Sequence, residues 1–183
     1  EILEKIKNEK TPVIFVSGHF SNFELMAMQI EKSGVNLAAI YRPLNNIFLN
    51  VLMERIRKKY ICKNQIKKGT GGVRQLLKLF KEGYSIALMI DQRVSEGIRS
   101  KFFNEDAFTT TIPAQFIKKF GCKVVPIYIE RSSDINFHIK IAKPIKFSKD
   151  ISTEKITRDL NIWLEKMILK NPGKWIWSHN RWK

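Results

Sequence analysis

The sequence predicts an α/β fold: a mostly parallel sheet flanked by helices on both faces, ending in a hairpin and a helix. Three observations carry this. Short continuous apolar runs of strand length recur along the chain. Stretches with helical period separate them. The last long stretch has one apolar helical stripe, preceded by two alternating runs. Alternation of strand and helix implies parallel pairing through crossovers.

The elements follow in order. Residues 12–17 are a continuous apolar run and suit a buried strand. A helix is predicted over 21–32, apolar on most faces through Phe23, Leu25, Met26, Ala27, Met28 and Ile30, with Gly34 stopping it. Residues 35–41 read as a second buried strand, ended by Arg42-Pro43. A helix over 46–59, a polar Gly-rich loop over 67–72 and a further helix through Lys81 come next. Residues 84–90 are a third buried strand closed by Asp91-Gln92, and an irregular stretch containing Gly97 follows. Residues 109–120 read as a helix with Pro113 in its first turn. Residues 123–130 and 136–145 alternate as a hairpin pair. From Ser152 onward, Ile156, Leu160, Trp163, Leu164, Met167 and Ile168 form one helical stripe, which Asn171-Pro172-Gly173 ends.

The chain has 183 residues, enough for one domain with a real core, and residues 1–183 are read as a single domain. No repeat or linker divides it. The 33 Lys and Arg against 17 Asp and Glu leave a net charge of +16, which points to a polyanionic partner. Ten basic residues and no acidic one lie between Arg55 and Lys81. Such a run is either a solvated face or a surface for an anion. Cys62 and Cys122 have no metal-ligand spacing and no disulfide pattern, and the three His are scattered, so neither metal nor cofactor is expected. No apolar run reaches the roughly eighteen residues that span a bilayer.

In parallel sheets ligands bind beyond the carboxyl ends of the strands. His19, Arg42 and Asp91 each follow a predicted strand. His19 with Glu24 five positions later can form a dyad: the carboxylate fixes the tautomer and the free ring nitrogen acts as general base. The competing reading of the same residues is a capping box, with Ser21 as N-cap and Glu24 at its third position. Arg42 suits a phosphate or an oxyanion, or is a solvated Arg before Pro43. Asn45 positions substrate or caps the next helix. Asp91, Gln92 and Arg93 orient Arg42 or contact a substrate, or are turn chemistry. Arg74, inside the basic run, joins the substrate-binding candidates. The 67–72 loop lacks P-loop spacing, so nucleotide binding is rejected there. Thr109, Thr110 and Thr111 read as helix capping, and His138 and His179 as exposed or packing residues. Trp175, Trp177 and Trp182, interleaved with Lys174, Arg181 and Lys183, have the chemistry of a bilayer interface, whereas Trp163 lies on a core stripe.

The block Gly18-His19-Phe20-Ser21-Asn22-Phe23-Glu24 resembles the His-x4-acid motif of the glycerolipid acyltransferase superfamily, in the form found in lipid A biosynthesis lauroyl/myristoyl acyltransferases. Tyr41-Arg42-Pro43-Leu44-Asn45-Asn46, the run ending in Asp91-Gln92, Thr109-Thr110-Thr111 with Pro113 and Val124-Val125-Pro126, and the Trp- and Arg-rich ending 172–183 resemble further blocks in the same order. The resemblance implies a glycerol-3-phosphate-acyltransferase-like fold. It implies His19 and Glu24 as catalytic residues, an acyl carrier protein thioester as donor, and an anionic phosphorylated glycolipid as acceptor. It implies work at a membrane surface, on the cytoplasmic face of a bacterial inner membrane, and an N-terminal anchor that this chain lacks. Acyltransferases for other glycolipids or phospholipids, including phosphatidylinositol mannosides, share the pattern. A basic nucleic-acid-binding domain fits the charge but has none of the motifs, so no nucleic-acid partner is expected.

Overall fold

The computed structural model describes residues 1–182, Thr70 by its backbone alone. Lys183, grouped above with the basic tail, lies outside them. Six strands form a mostly parallel sheet flanked by helices, and two more form a separate hairpin. The chain divides into two units: Glu1–Phe15 with Glu24–Leu88, and Val16–Phe23 with the residues from Met89 onward.

The first unit opens with α1 (Ile2–Glu9), which buries Leu3 and Ile6. β1 (Ile14–Ser17) begins here, and all four of its residues are buried. α2 (Glu24–Lys32) buries Met26 and Ile30, and Gly34 turns the chain at φ +85°. β2 (Leu37–Tyr41) is the middle of a parallel trio. It pairs with β3 (Asn64–Lys67) through Ala38↔Asn64 and with β4 (Ser85–Met89) through Leu37↔Ser85. Between the strands run α3 (Ile47–Tyr60) and α4 (Thr70–Lys81). Asn46 caps α3 by accepting from the Leu49 N–H, so the cap is Asn46 and not Asn45. Gly72 is obligatory, because a Cβ there would lie 2.0 Å from the Lys67 carbonyl oxygen.

β3 was not expected. It is four residues long, mostly polar and buries only Ile66, so it lacks the apolar run that marks the other strands.

In the second unit the end of β4 stays beside the end of β1, with the Ile90 N–H donating to the Ser17 carbonyl. β7 (Val124–Ser133) and β8 (Asn136–Ile141) form the expected antiparallel pair, and His138 is exposed on it. α5 (Ile112–Phe120) carries Pro113 in its first turn. α6 (Thr153–Lys170) is capped by Ser152 and buries Ile156, Leu160, Leu164 and Ile168, while Trp163 is half-buried. The stretch expected to be irregular is instead a hairpin, β5 (Ile98–Phe102) and β6 (Glu105–Thr109), turned by Phe103 and Asn104 at φ +51° and +64°. Its inward residues include Ser100 and Thr109, which hide the alternation.

Candidate functional site

The second unit carries a polar centre at the end of β1. β1 and β4 are hydrogen-bonded neighbours, so the residues following them lie side by side. His19 Nδ1 is 2.7 Å from Asp91 Oδ1, and the His19 backbone N–H donates to Asp91 Oδ2 at 2.7 Å. A third donor, the Trp175 indole N–H, reaches Oδ2 at 2.8 Å. Asp91 is buried. Burial alone would raise its carboxyl, but the bond and charge of the His19 ring, its backbone N–H and the Trp175 indole together hold it below the ordinary carboxylate range. An ionised carboxylate only accepts, so Nδ1 carries a proton, and in the neutral ring Nε2 has the lone pair.

Nε2 faces Gln92, whose side-chain nitrogen is 3.3 Å from it and 2.8 Å from His179 Nε2. The Phe23 ring packs edge-on against the imidazole with 4.6 Å between centroids. Gly18 is fixed by crowding: a Cβ there would stand 2.8 Å from Leu164 Cδ1 and 3.3 Å from Asp91 Oδ2. The C-terminal segment is threaded into this centre. Ile176 N–H donates to the His19 carbonyl, Ser21 N–H donates to the Lys174 carbonyl, and Phe20 bridges Trp175.

Several expectations need correction. The carboxylate on the His19 ring is that of Asp91, because paired strand ends bring 19 and 91 together; Glu24 instead accepts from Arg57 Nε at 2.7 Å and NH2 at 2.6 Å. Asp91 therefore orients His19 rather than Arg42. The capping box does not form: α2 starts only at Glu24, Ser21 is left-handed at φ +44°, and its buried hydroxyl has no partner among the described residues. Thr109 belongs to β6, and its hydroxyl accepts from Arg181 NH2 at 2.6 Å rather than capping α5; Thr110 alone accepts from that helix's first N–H. Trp175 and Arg181 are buried, Arg181 completely, with NH1 on the Phe108 carbonyl at 2.6 Å, so neither faces a bilayer. Trp177 and Trp182 remain exposed in part.

Of the residues singled out from sequence, His19, Asp91 and Gln92 meet by hydrogen bonds. Arg93 is exposed, its guanidinium 5.6 Å from the Phe108 ring centroid. Arg42, Asn45 and Arg74 are exposed residues of the first unit. His179 and Trp175 join the centre unannounced. They lie 84 or more positions from their partners, and no spacing signals such a pairing. Among the described residues no group of three His, Cys, Asp or Glu side chains could hold a metal.

A family model for the bacterial lipid A biosynthesis acyltransferases matches residues 1–183. The chain belongs to that family. Lipid A biosynthesis lauroyltransferase of Escherichia coli K12 is 25% identical over 195 aligned residues, covering 100% of this chain and 60% of the relative. Lipid A biosynthesis acyltransferase 2 of Shigella flexneri is 22% identical over 183 residues, covering 97% and 57%. This lipid A acyltransferase-family chain thus spans about three-fifths of the length of the curated relatives it matches.

Proposed function

We propose that the chain carries the acyl-transfer centre of a lipid A-type acyltransferase. The donor is an acyl carrier protein thioester, and the acceptor is a hydroxyl of an anionic phosphorylated glycolipid. The observation that supports it best is the His19–Asp91 pair, which leaves Nε2 as the basic nitrogen of the ring.

The acceptor O–H proton passes to His19 Nε2 as the oxygen attacks the thioester carbonyl. Asp91 stabilises the imidazolium so formed, as a buried negative charge in direct contact. The tetrahedral adduct collapses, the carbon–sulfur bond breaks, and the leaving thiolate takes the proton from Nε2–H. The Gln92 amide, beside Nε2, is a donor within reach of the developing oxyanion. Arg42 and Asn45 have the chemistry to hold a phosphate or oxyanion, and Glu24 acts as the anchor of Arg57. The basic residues from Arg55 to Lys81, Arg74 among them, match an acidic carrier and a phosphorylated lipid, and Arg93 has the same charge to offer an anionic acceptor. We assign the work to a membrane surface, the cytoplasmic face of a bacterial inner membrane.

The test is incubation with acyl carrier proteins of several chain lengths and a lipid A precursor, followed by mass analysis of the product. We expect one added acyl group, lost in His19→Ala with folding retained. General-base removal of this kind costs roughly 10²–10⁴-fold. Product formed at wild-type rate by His19→Ala would end the proposal.

A further inference from the structure

Helix α3 is amphipathic in the reverse sense. Its half-buried residues are Asn50, Met53, Glu54 and Arg57, one stripe at helical spacing, and the helix has no fully buried residue. The inward stripe is a polar network. Glu54 accepts from Tyr41 Oη at 2.5 Å and from Asn50 Nδ2 at 2.7 Å, with Lys67 Nζ at 3.3 Å, while Arg57 holds Glu24. The outward side carries large apolar residues: Ile47 is 77% exposed, Phe48 88%, and Leu49 and Leu52 52% each. Apolar residues on a surface are ordinary when scattered; a contiguous patch marks a binding face.

The outward face also changes character along the axis. Most of the exposed apolar side chains lie in the first two turns, while the last turns expose Arg55, Lys58 and Lys59 together with Ile56 and Tyr60. At ~1.5 Å per residue the two groups are centred about 12 Å apart. The helix's one acidic residue, Glu54, is turned inward and bound, so no carboxylate interrupts the outer face.

We propose that α3 is a membrane-docking element that inserts its first two turns into the acyl-chain boundary of an anionic bilayer and sets Arg55, Lys58 and Lys59 among the lipid headgroups. Exposed apolar side chains together with cations on one helix are the combination by which interfacial helices hold to anionic bilayers. Charge decides against a second copy as the occupant: it would bring the same cations face to face on a molecule already carrying +16. An anionic bilayer satisfies both halves of the face at once, hydrocarbon for the leucines and phenylalanine, phosphates for the cations. Vesicle binding needs no turnover, so this proposal and the acyl-transfer reading can fail separately.

The test is co-flotation of the full chain with vesicles of phosphatidylcholine alone and of phosphatidylcholine with one-third phosphatidylglycerol. Wild type is expected to bind the anionic vesicles. Phe48→Ser with Leu52→Ser should weaken binding on the order of 100-fold, since each large apolar side chain moved from water to hydrocarbon is worth roughly tenfold or more. Arg55→Glu with Lys59→Glu should remove the preference for anionic lipid. Trp177→Ser, on the exposed tail, should bind as wild type does. A second measurement is independent of those variants. Cys62 and Cys122 are both buried, so Phe48→Cys can be labelled selectively with an environment-sensitive dye. The dye should shift to the blue on anionic vesicles. The proposal is overturned if wild type does not bind, if the apolar double variant binds undiminished, or if the dye is silent. Self-association abolished by the apolar double variant, without vesicle binding, would assign the face to a second copy instead.

Discussion

Asp91→Asn is the most informative perturbation, because it keeps shape and removes charge. Asp91 Oδ2 accepts the His19 backbone N–H and the Trp175 indole, and Oδ1 accepts His19 Nδ1–H. An Asn oxygen in the Oδ2 place keeps the first two bonds. Its amide nitrogen then faces Nδ1, which must become an acceptor. The ring proton moves to Nε2, which can then no longer accept one as the proposed mechanism requires. The rate should fall by roughly 10²–10⁴-fold, the full size of a general-base contribution. Stability should change much less. Hydrogen bonds to a charged group contribute about 1.5–3 kcal/mol and neutral ones about 0.5–1.5 kcal/mol. Three bonds weakened by about 1 kcal/mol each, offset by no longer burying a charge, leave a net loss of about 2 kcal/mol. In a domain of this size that lowers Tm by about 4–8 °C.

The pH dependence separates the two effects. The Asp91 carboxyl is held below its ordinary value of 3.8 despite burial, so the unfolded chain takes up its proton first on acidification. Its stabilisation is present in full above that ordinary value and is lost as pH falls through the lower folded value. Melting curves of wild type and Asp91→Asn should therefore converge in acid and separate toward neutrality. Turnover near wild type, or a constant gap in Tm across the acid range, would refute the argument that Asp91 is an ionised partner of His19.

Three further outcomes follow from the geometry. Glu24→Gln keeps an acceptor for Arg57 but loses the charge, and Arg57 NH1 is already buried without a partner among the described residues; a loss of about 1–3 kcal/mol is expected, read as a lower Tm, and an unchanged Tm would show the pair carries no stability. Arg181→Ala strips the Phe108 carbonyl and Thr109 hydroxyl of their partner and opens space under Phe102, so about 3–5 kcal/mol should be lost in chemical denaturation; a loss within error would contradict that. If the donor is the acidic carrier proposed above, reversing the exposed Arg74, Lys78 and Lys81 on α4 should raise its KM, leave kcat at saturation unchanged and blunt the response to salt, whose screening length is about 8 Å at physiological strength; equal salt response in both proteins would place the donor elsewhere.

The parts of the fold legible in sequence were those whose burial is apolar. β1, β2 and β4 are continuous apolar runs, and α6 carries one apolar stripe, so period suffices. β3 and the β5–β6 hairpin were not legible, because they bury few apolar residues and their inward positions include Ser100 and Thr109. At the candidate site, His19 and Asp91 were legible singly, as polar residues after buried strands. Their pairing was not, because periodicity gives strand ends without giving strand order. Local spacing favoured Glu24, five positions away. Pairing of β1 with β4 brought Asp91, 72 positions away, into hydrogen-bond distance.

The C-terminal tail shows how composition can mislead about a residue's surroundings. Trp and Arg interleaved near a chain end have membrane-interface chemistry, yet the same two types are what a buried carboxylate and a buried carbonyl demand. Trp offers one donor on a large apolar body, and Arg offers a fork that can serve two acceptors. Asp91 has more accepting capacity than His19 can fill, and an unmet lone pair in a buried place is costly. The Trp175 indole meets it, and the backbone bonds at His19 and Ser21 hold the tail in register with the strand end it serves. Gln92 then links His19 to His179 on the same segment. The tail is thus part of what positions the His19 ring: shortening the chain before Trp175 would remove the third donor on Asp91, the main-chain clamp on His19 and the Gln92–His179 link together.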